Sequence, residues 1–190
     1  MRAAVLATVI ARTPVDARER MCIERFVTDF TRLEEPFSEH ADPVHVTGSA
    51  FVVGPRGVVL HRHRVLGIWV QPGGHIDPGE ASWEAAVRET VEEIGLPVEH
   101  AGGVPTLVHV DVHPGPRGHT HLDLRYLLDG GDADPKPPPE ESQDVGWFTW
   151  DEALSIGEPN MEGILKALAS GPSPDRGTVT ATFGEGRQWT

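Results

Sequence analysis

The sequence predicts an α+β fold. Three observations carry this: alternating apolar and polar stretches that come in hairpin pairs, one long segment of helical periodicity set among them, and glycine- and proline-rich turns between the two. A chain of 190 residues holds one domain with a sizeable core plus a small accessory element.

The opening "MRAAVLATVIART" has a short apolar run behind a single basic residue, Arg2, and Arg12 and Pro14 end the run. It reads as a packed strand or helix rather than a secretion signal. Thr13 as N-cap and Pro14 at the first position start a helix from about Val15 to Leu33, with Ile23, Phe26, Val27, Phe30 and Leu33 at helical spacing. "EEPFSEHADPVH" connects to a strand from His45 to Val53, a turn from Gly54 to Gly57, and a hairpin partner from Val58 to Arg64. "GIWV" is a short strand that enters a glycine loop at Gly73 and Gly74.

Ser82 to Ile94 is the central helix, closed by Gly95 with Pro97 just beyond. "TLVHVDVH" and "HTHLDLRYLL" form a second hairpin around "PGPRG", and Asp129 to Glu141 is a proline-rich loop. "DVGWFTW" is the last strand, with helices after it near Trp150 to Ile156 and Asn160 to Ala169. The chain divides into an N-terminal helical extension (1–40), a main domain (41–170) and a loose tail (171–190).

Net charge is −13, which argues against an affinity for nucleic-acid backbone or anionic membrane, so no DNA, RNA or membrane partner is expected. No stretch approaches the roughly 20 apolar residues of a membrane span. Cys22 is the only cysteine, which excludes an intramolecular disulfide and a cysteine-built zinc site and fits a reducing, cytoplasmic setting.

The chemistry concentrates in "GGHIDPGEASWEAAVRETVEEIGL", Gly73 to Leu96. Glu89, Glu92 and Glu93 lie three and four apart on one helix face, where like charges destabilise the helix unless a cation joins them. Hard divalent ions such as Mg²⁺ prefer carboxylate oxygen, water and phosphate. Gly73 and Gly74 give the loop the freedom to turn a carbonyl toward the same ion. Val87, Val91 and Ile94 form a separate apolar stripe for core packing. A solvated acidic helix is the other reading, although Arg88 is the only basic residue between Glu80 and Glu93.

These residues resemble the box of the Nudix (MutT-like) hydrolase family. Gly74 is followed after five residues by Glu80, and after seven more by "RETVEEIGL", Arg88 to Leu96; the one departure is Thr90 at a position where the family prefers an aliphatic residue. The resemblance, which runs over roughly Val46 to Leu168, implies a Nudix fold: an α/β/α sandwich with a mixed sheet. It also implies hydrolysis of a nucleoside diphosphate derivative or related organic pyrophosphate with Mg²⁺, or Mn²⁺ in its place. Carried over by position, Glu92 and Glu93 are metal ligands, Glu89 a ligand or base, and the Gly74 carbonyl a further ligand. Arg88 orients a catalytic glutamate, and Glu80 pins the loop to Arg88. A base from outside the box is expected at Glu140 or Glu141, with Glu141 preferred because it stands nearer the start of the "DVGWF" strand. Thr90 should affect helix packing rather than ligation. Family members often pair, which makes a homodimer through the N-terminal helix an expectation.

Two further groups are candidates for substrate contact. His109, Asp111 and His113 alternate with valines, and His119, His121 and Asp123 with leucines, which puts the six polar groups on one hairpin face. That face is a polar outer surface, a substrate wall, or a site for Zn²⁺, Mn²⁺ or Fe²⁺. "HTHLD" is similar to a pattern in a bacterial Nudix subgroup, which favours a role in a pocket. Arg62 and Arg64 share one face of the strand before the box and suit a phosphate. Trp69 and Tyr126 suit core packing better than base stacking.

Three other functions are weighed. A non-catalytic ligand sensor with this fold usually loses box carboxylates, and none is missing here. Isoprenoid diphosphate isomerisation relies on a cysteine near the active site, and Cys22 is remote from the box. RNA cap removal fits poorly with the negative charge and the lack of a basic platform.

Overall fold

The computed structural model describes residues 1–171, so the expected tail, apart from Gly171, lies outside the described residues. Chain order is α1 (Arg2–Ala11), α2 (Ala17–Arg32), β1 (Val44–Gly54), β2 (Gly57–Arg62), β3 (Trp69–Val70), β4 (Gly73–His75), α3 (Ser82–Ile94), β5 (Glu99–His100), β6 (Leu107–Pro114), β7 (Thr120–Asp129), β8 (Val145–Phe148), α4 (Trp150–Ile156) and α5 (Glu162–Ser170). The strands form one mixed sheet along β3-β2-β1-β7-β5, with β4 paired to β1, β6 to β7 and β8 to β2. β1 and β7 run parallel, from Val44 opposite Thr120 to Val53 opposite Asp129. The other pairings are antiparallel.

Alternation along β1 divides the core in two. Val46, Ala50 and Val52 join Leu122, Leu124 and Leu128 of β7 beneath Val5, Val9, Phe26 and Phe30 of α1 and α2 and Ala85, Ala86 and Ile94 of α3. Phe51, Val58 and Leu60 point the other way, against Ala153 of α4 and Ile164 and Leu165 of α5. The result is an α/β/α sandwich on a mixed sheet, and α1 and α2 share its main core. Among the described residues no helix is long and apolar enough to cross a membrane.

The N-terminal region departs from expectation in its boundaries. Residues 2–32 form two helices, and α2 is capped by Asp16, whose Oδ1 accepts the Glu19 N–H at 2.7 Å, rather than by Thr13. Glu19 is fully buried and accepts the Val110 N–H at 3.0 Å, while Arg12 donates to the Leu107 and Val108 carbonyls. Side chains thus satisfy backbone groups of β6 that the sheet leaves unpaired.

Helix α3 has the expected bounds, with Gly95 at its end in the left-handed region (φ 60). Its packing face differs by one residue from the predicted stripe. Thr90 is buried, with its hydroxyl donating to the Ala86 carbonyl at 2.6 Å, whereas Val91 is exposed. Ala86, Thr90 and Ile94 follow i, i+4, i+8 spacing and form the inward ridge.

Candidate active site

Strand β4 lies antiparallel on β1, with Gly74 opposite Gly48, and so delivers the loop to the side of α3. Arg88 organises what meets there. Its Nε and Nη2 donate to the two Glu80 oxygens, both at 2.9 Å, and Nη2 also donates to the His75 carbonyl at 2.8 Å. Nη1 donates to Glu89 at 2.8 Å and to Glu92 at 3.1 Å. One guanidinium therefore locks the loop to the helix and gathers two carboxylates, using the planar donor fork that lysine lacks. The Asp77 N–H completes Glu80 at 2.9 Å.

Glu93 turns toward the loop, where the Gly73 N–H donates to its Oε2 at 2.9 Å. Gly74 closes against Glu89: a Cβ built there would stand 2.5 Å from the Glu89 carboxyl carbon. The Gly74 backbone can face the carboxylate this closely because it carries no side chain.

Electrostatics divide these acids. Burial pushes Glu93 up to about 8, opposed by the Gly73 N–H and reinforced by the charges of Glu89, Glu141 and Glu92. Burial also raises Glu89, against the pull of Arg88. Burial works against charge on Glu80 too, but the Arg88 hydrogen bonds outweigh it and hold Glu80 below the usual range. The hydrogen bonds to Glu80 lead in raising Arg88 above its ordinary value. Two crowded carboxyls that resist ionisation form a site that gains by receiving positive charge.

His61 was not among the residues that the sequence pattern pointed to for this site. Its Nε2 lies 3.5 Å from Glu93 Oε2, and burial holds its pKa down to about 4. It was legible only as part of the run "HRHR", because its place beside Glu93 depends on the β2–β3–β8 pairing. Glu141 is partly buried and its charge acts on Glu93, whereas Glu140 is exposed.

Beside Gly73 and Gly74 a cavity of about 480 Å³ opens over the polar face of β1 and β7, lined among others by Arg18, Thr47, Ser49, Gln71, His121, Asp123, Arg125 and Asn160. Five of the six predicted polar groups alternate onto one face of the β6–β7 pair, with Asp111 opposite Asp123 and His113 opposite His121, while His119 lies just before β7. That face is not an outer surface: His109, Asp111 and Asp123 are buried. Asp123 accepts from Thr47 at 3.0 Å, from Ser49 at 2.8 Å and from Arg125 at 2.9 Å. Arg125 also donates to Asp111 at 2.9 Å, and Arg18 reaches the same carboxylate at 2.7 Å. Burial opposes charge on Asp111, but Arg125 and His113 hold it well below the usual carboxylate range.

Neither Arg125 nor Arg18 was among the residues expected at the site. Arg125 carried a signal, since it continues the alternation of His121 and Asp123 by one step; Arg18 carried none. Gln71 Oε1, Asn160 Oδ1 and Arg18 Nε are buried without a protein partner.

Arg62 and Arg64 are exposed and do not line the cavity, whereas His63 between them does. Arg62 Nε donates to the Gly67 carbonyl at 2.9 Å within the turn after β2. His119 and His121 stand at the start of β7 against His45 and His75, with the His45 ring centroid 5.0 Å from His119, 5.2 Å from His121 and 5.1 Å from His75. Tyr126 is buried, its hydroxyl 2.7 Å from Ser82, and Trp69 packs on Phe148. Cys22 lies in α2 with its thiol toward Asp111.

A family model described as the NUDIX domain matches residues 43–168. An isopentenyl-diphosphate Delta-isomerase of Streptomyces griseus is 32% identical over 144 residues, covering 70% of this chain and 71% of its own. An asymmetrical bis(5'-nucleosyl)-tetraphosphatase of Caenorhabditis elegans is 30% identical over 107 residues, 54% of this chain and 74% of its own. Among solved structures, a NUDIX-family hydrolase of Clostridium perfringens superposes with a TM-score of 0.56 at 26% identity, over 66% of this chain and 93% of that one.

Proposed function

The chain belongs to the Nudix family, and from that premise we propose that it is a divalent-metal-dependent hydrolase that cleaves the diphosphate linkage of a nucleoside diphosphate derivative or related organic pyrophosphate. The observation that carries the reading is the convergence of the Glu89 and Glu93 carboxyls on the Gly73–Gly74 loop, at the edge of a cavity large enough for a nucleoside-sized group.

The residues fit a hard ion. Glu89, Glu92, Glu93 and the Gly74 carbonyl offer only oxygen, as Mg²⁺ and Mn²⁺ prefer, and the raised Glu93 marks a place short of positive charge. When bound, the ion neutralises diphosphate oxygens and acidifies the attacking water. Arg88 keeps Glu89 and Glu92 aimed together and holds the Gly74 loop through Glu80 and the His75 carbonyl. Glu141 accepts the proton of the attacking water, a role supported by its charge acting on Glu93. The group beyond the diphosphate lies along the cavity, where Gln71, Asn160 and Arg18 offer unused polar atoms and Asp123 with His121 forms the floor.

Isomerisation, the activity named for the Streptomyces relative, is disfavoured because the chain's single thiol faces Asp111 and burial raises its pKa. The test is a hydrolysis screen with Mg²⁺ over sugar nucleotides, dinucleoside polyphosphates, nucleoside triphosphates and dinucleotide cofactors, with isopentenyl diphosphate as an isomerisation control. Release of phosphate-containing products from at least one nucleotide is expected. Isomerisation without hydrolysis would overturn the reading.

A further inference from the structure

We propose that His45, His75, His119 and His121 form a second metal site, for a divalent transition ion of the zinc type, distinct from the box carboxylates and independent of the hydrolase reading. The four come from separate parts of the chain: the start of β1, the end of β4, the residue just before β7 (His119) and the second residue of β7 (His121). Parallel pairing sets His45 opposite His121, and the β1–β4 ladder brings His75 alongside. One ring nitrogen from each lies within 4.8 Å of all the others.

The rings are arranged as metal-binding histidines are. His45 is fully buried and its Nδ1 sits 3.1 Å from the Asp42 carbonyl, which leaves Nε2 buried with no partner. His75 Nδ1 sits 3.3 Å from Glu39, and its Nε2 is likewise buried and unpartnered. An outer hydrogen bond that fixes one nitrogen and frees the other is the usual support for an imidazole ligand. His121 Nε2 is a third orphan.

An all-imidazole set suits Zn²⁺, Co²⁺ or Ni²⁺, whereas the box offers only oxygen, so the two sites sort ions by ligand type. Tetrahedral coordination at about 2.0–2.1 Å requires the four nitrogens to close to about 3.3 Å apart, within reach of ring rotation. Because His75 directly follows Gly74, an ion here would tie the box loop to the ends of β1 and β7. Its role is to position the loop.

The test is titration of the metal-free full chain with Co²⁺, in excess Mg²⁺ to hold the box, reading the visible absorption of four-coordinate cobalt and its displacement by Zn²⁺. The proposal expects a single equivalent bound, retained in Glu93→Gln. Partly exposed His119→Gln, checked for folding by circular dichroism, should weaken binding at least tenfold, and His45→Gln with His75→Gln should abolish it. Should the double variant not fold, Zn²⁺ at one fixed concentration should raise the Tm of the wild type more than that of His119→Gln. Equal binding in the wild type and His119→Gln, loss in Glu93→Gln, or absence of the four-coordinate spectrum would overturn it.

Discussion

Substituting Gly74 with alanine tests how closely loop and helix must meet. The added Cβ would stand 2.5 Å from both the Glu89 carboxyl carbon and one of its oxygens. Non-bonded atoms settle near 3.5–4.0 Å, so the carboxylate must retreat by about 1 Å. The backbone is not the obstacle, because Gly74 does not occupy the left-handed region. What yields is the tip of a side chain that Arg88 holds at 2.8 Å. A misplacement of about 1 Å in a positioned group costs on the order of 100-fold in rate. Since only a flexible tip moves, the fold should lose less than about 1 kcal/mol. Steady-state hydrolysis with Mg²⁺, alongside thermal unfolding of the same preparation, reads both numbers. A folded Gly74→Ala protein with activity within threefold of wild type would refute the claim that Glu89 acts at the Gly74 loop.

Arg88→Lys keeps the charge but loses the fork that serves Glu80, Glu89, Glu92 and the His75 carbonyl, and kcat should fall roughly 10- to 100-fold with about 1–3 kcal/mol lost in denaturant unfolding. Glu141→Gln should lower kcat at least tenfold and flatten the acid limb of the pH–rate profile, while Glu140→Gln at the exposed neighbouring position should stay near wild type. His109 is buried, and burial together with Arg125 lowers its pKa from 6.5 to about 2. The unfolded chain then binds the extra proton, so the stability from neutral His109 is present above pH 6.5 and is lost as pH falls below it, by about 1.4 kcal/mol at pH 5.5. His109→Gln should remove that part of the acid slope in urea titrations at pH 7.5 and 5.5.

The box was legible because its parts lie close along one stretch of chain. Gly74, Glu80 and Arg88 to Glu93 are spaced so that one helix and its preceding loop suffice to bring them together. The hairpin alternation was legible too, but whether its polar face met solvent was not, since that depends on which helices cover each side of the sheet. Thr90 and Val91 show the limit of hydropathy as a guide. Thr90 satisfies its hydroxyl on the Ala86 carbonyl and so can be buried, while Val91 shares the outward side with Glu92. The start of α2 was misplaced because Thr13 and Asp16 are both good caps, and Glu19 three residues after Asp16 was the discriminating signal. The meeting of His45, His75, His119 and His121 was beyond local reading, because it requires the parallel β1–β7 register.

Glu93 is assigned here to a metal-assisted hydrolysis and not to the fold. Burial raises Glu93 to about 8, so its contribution to stability is full below its unfolded value of 4.5 and is lost as pH rises toward 8; at pH 7 the fold holds a proton that the unfolded chain has released, at a cost of about 3 kcal/mol. Glu93→Gln keeps an acceptor for the Gly73 N–H and removes that penalty. Hydrolysis of the best nucleotide from the screen, measured at saturating Mg²⁺ beside a thermal melt at pH 7, separates the two roles. The expected result is kcat lower by at least about 100-fold, with a metal-free Tm equal to or above wild type. Activity near wild type in a folded Glu93→Gln protein would contradict the assignment.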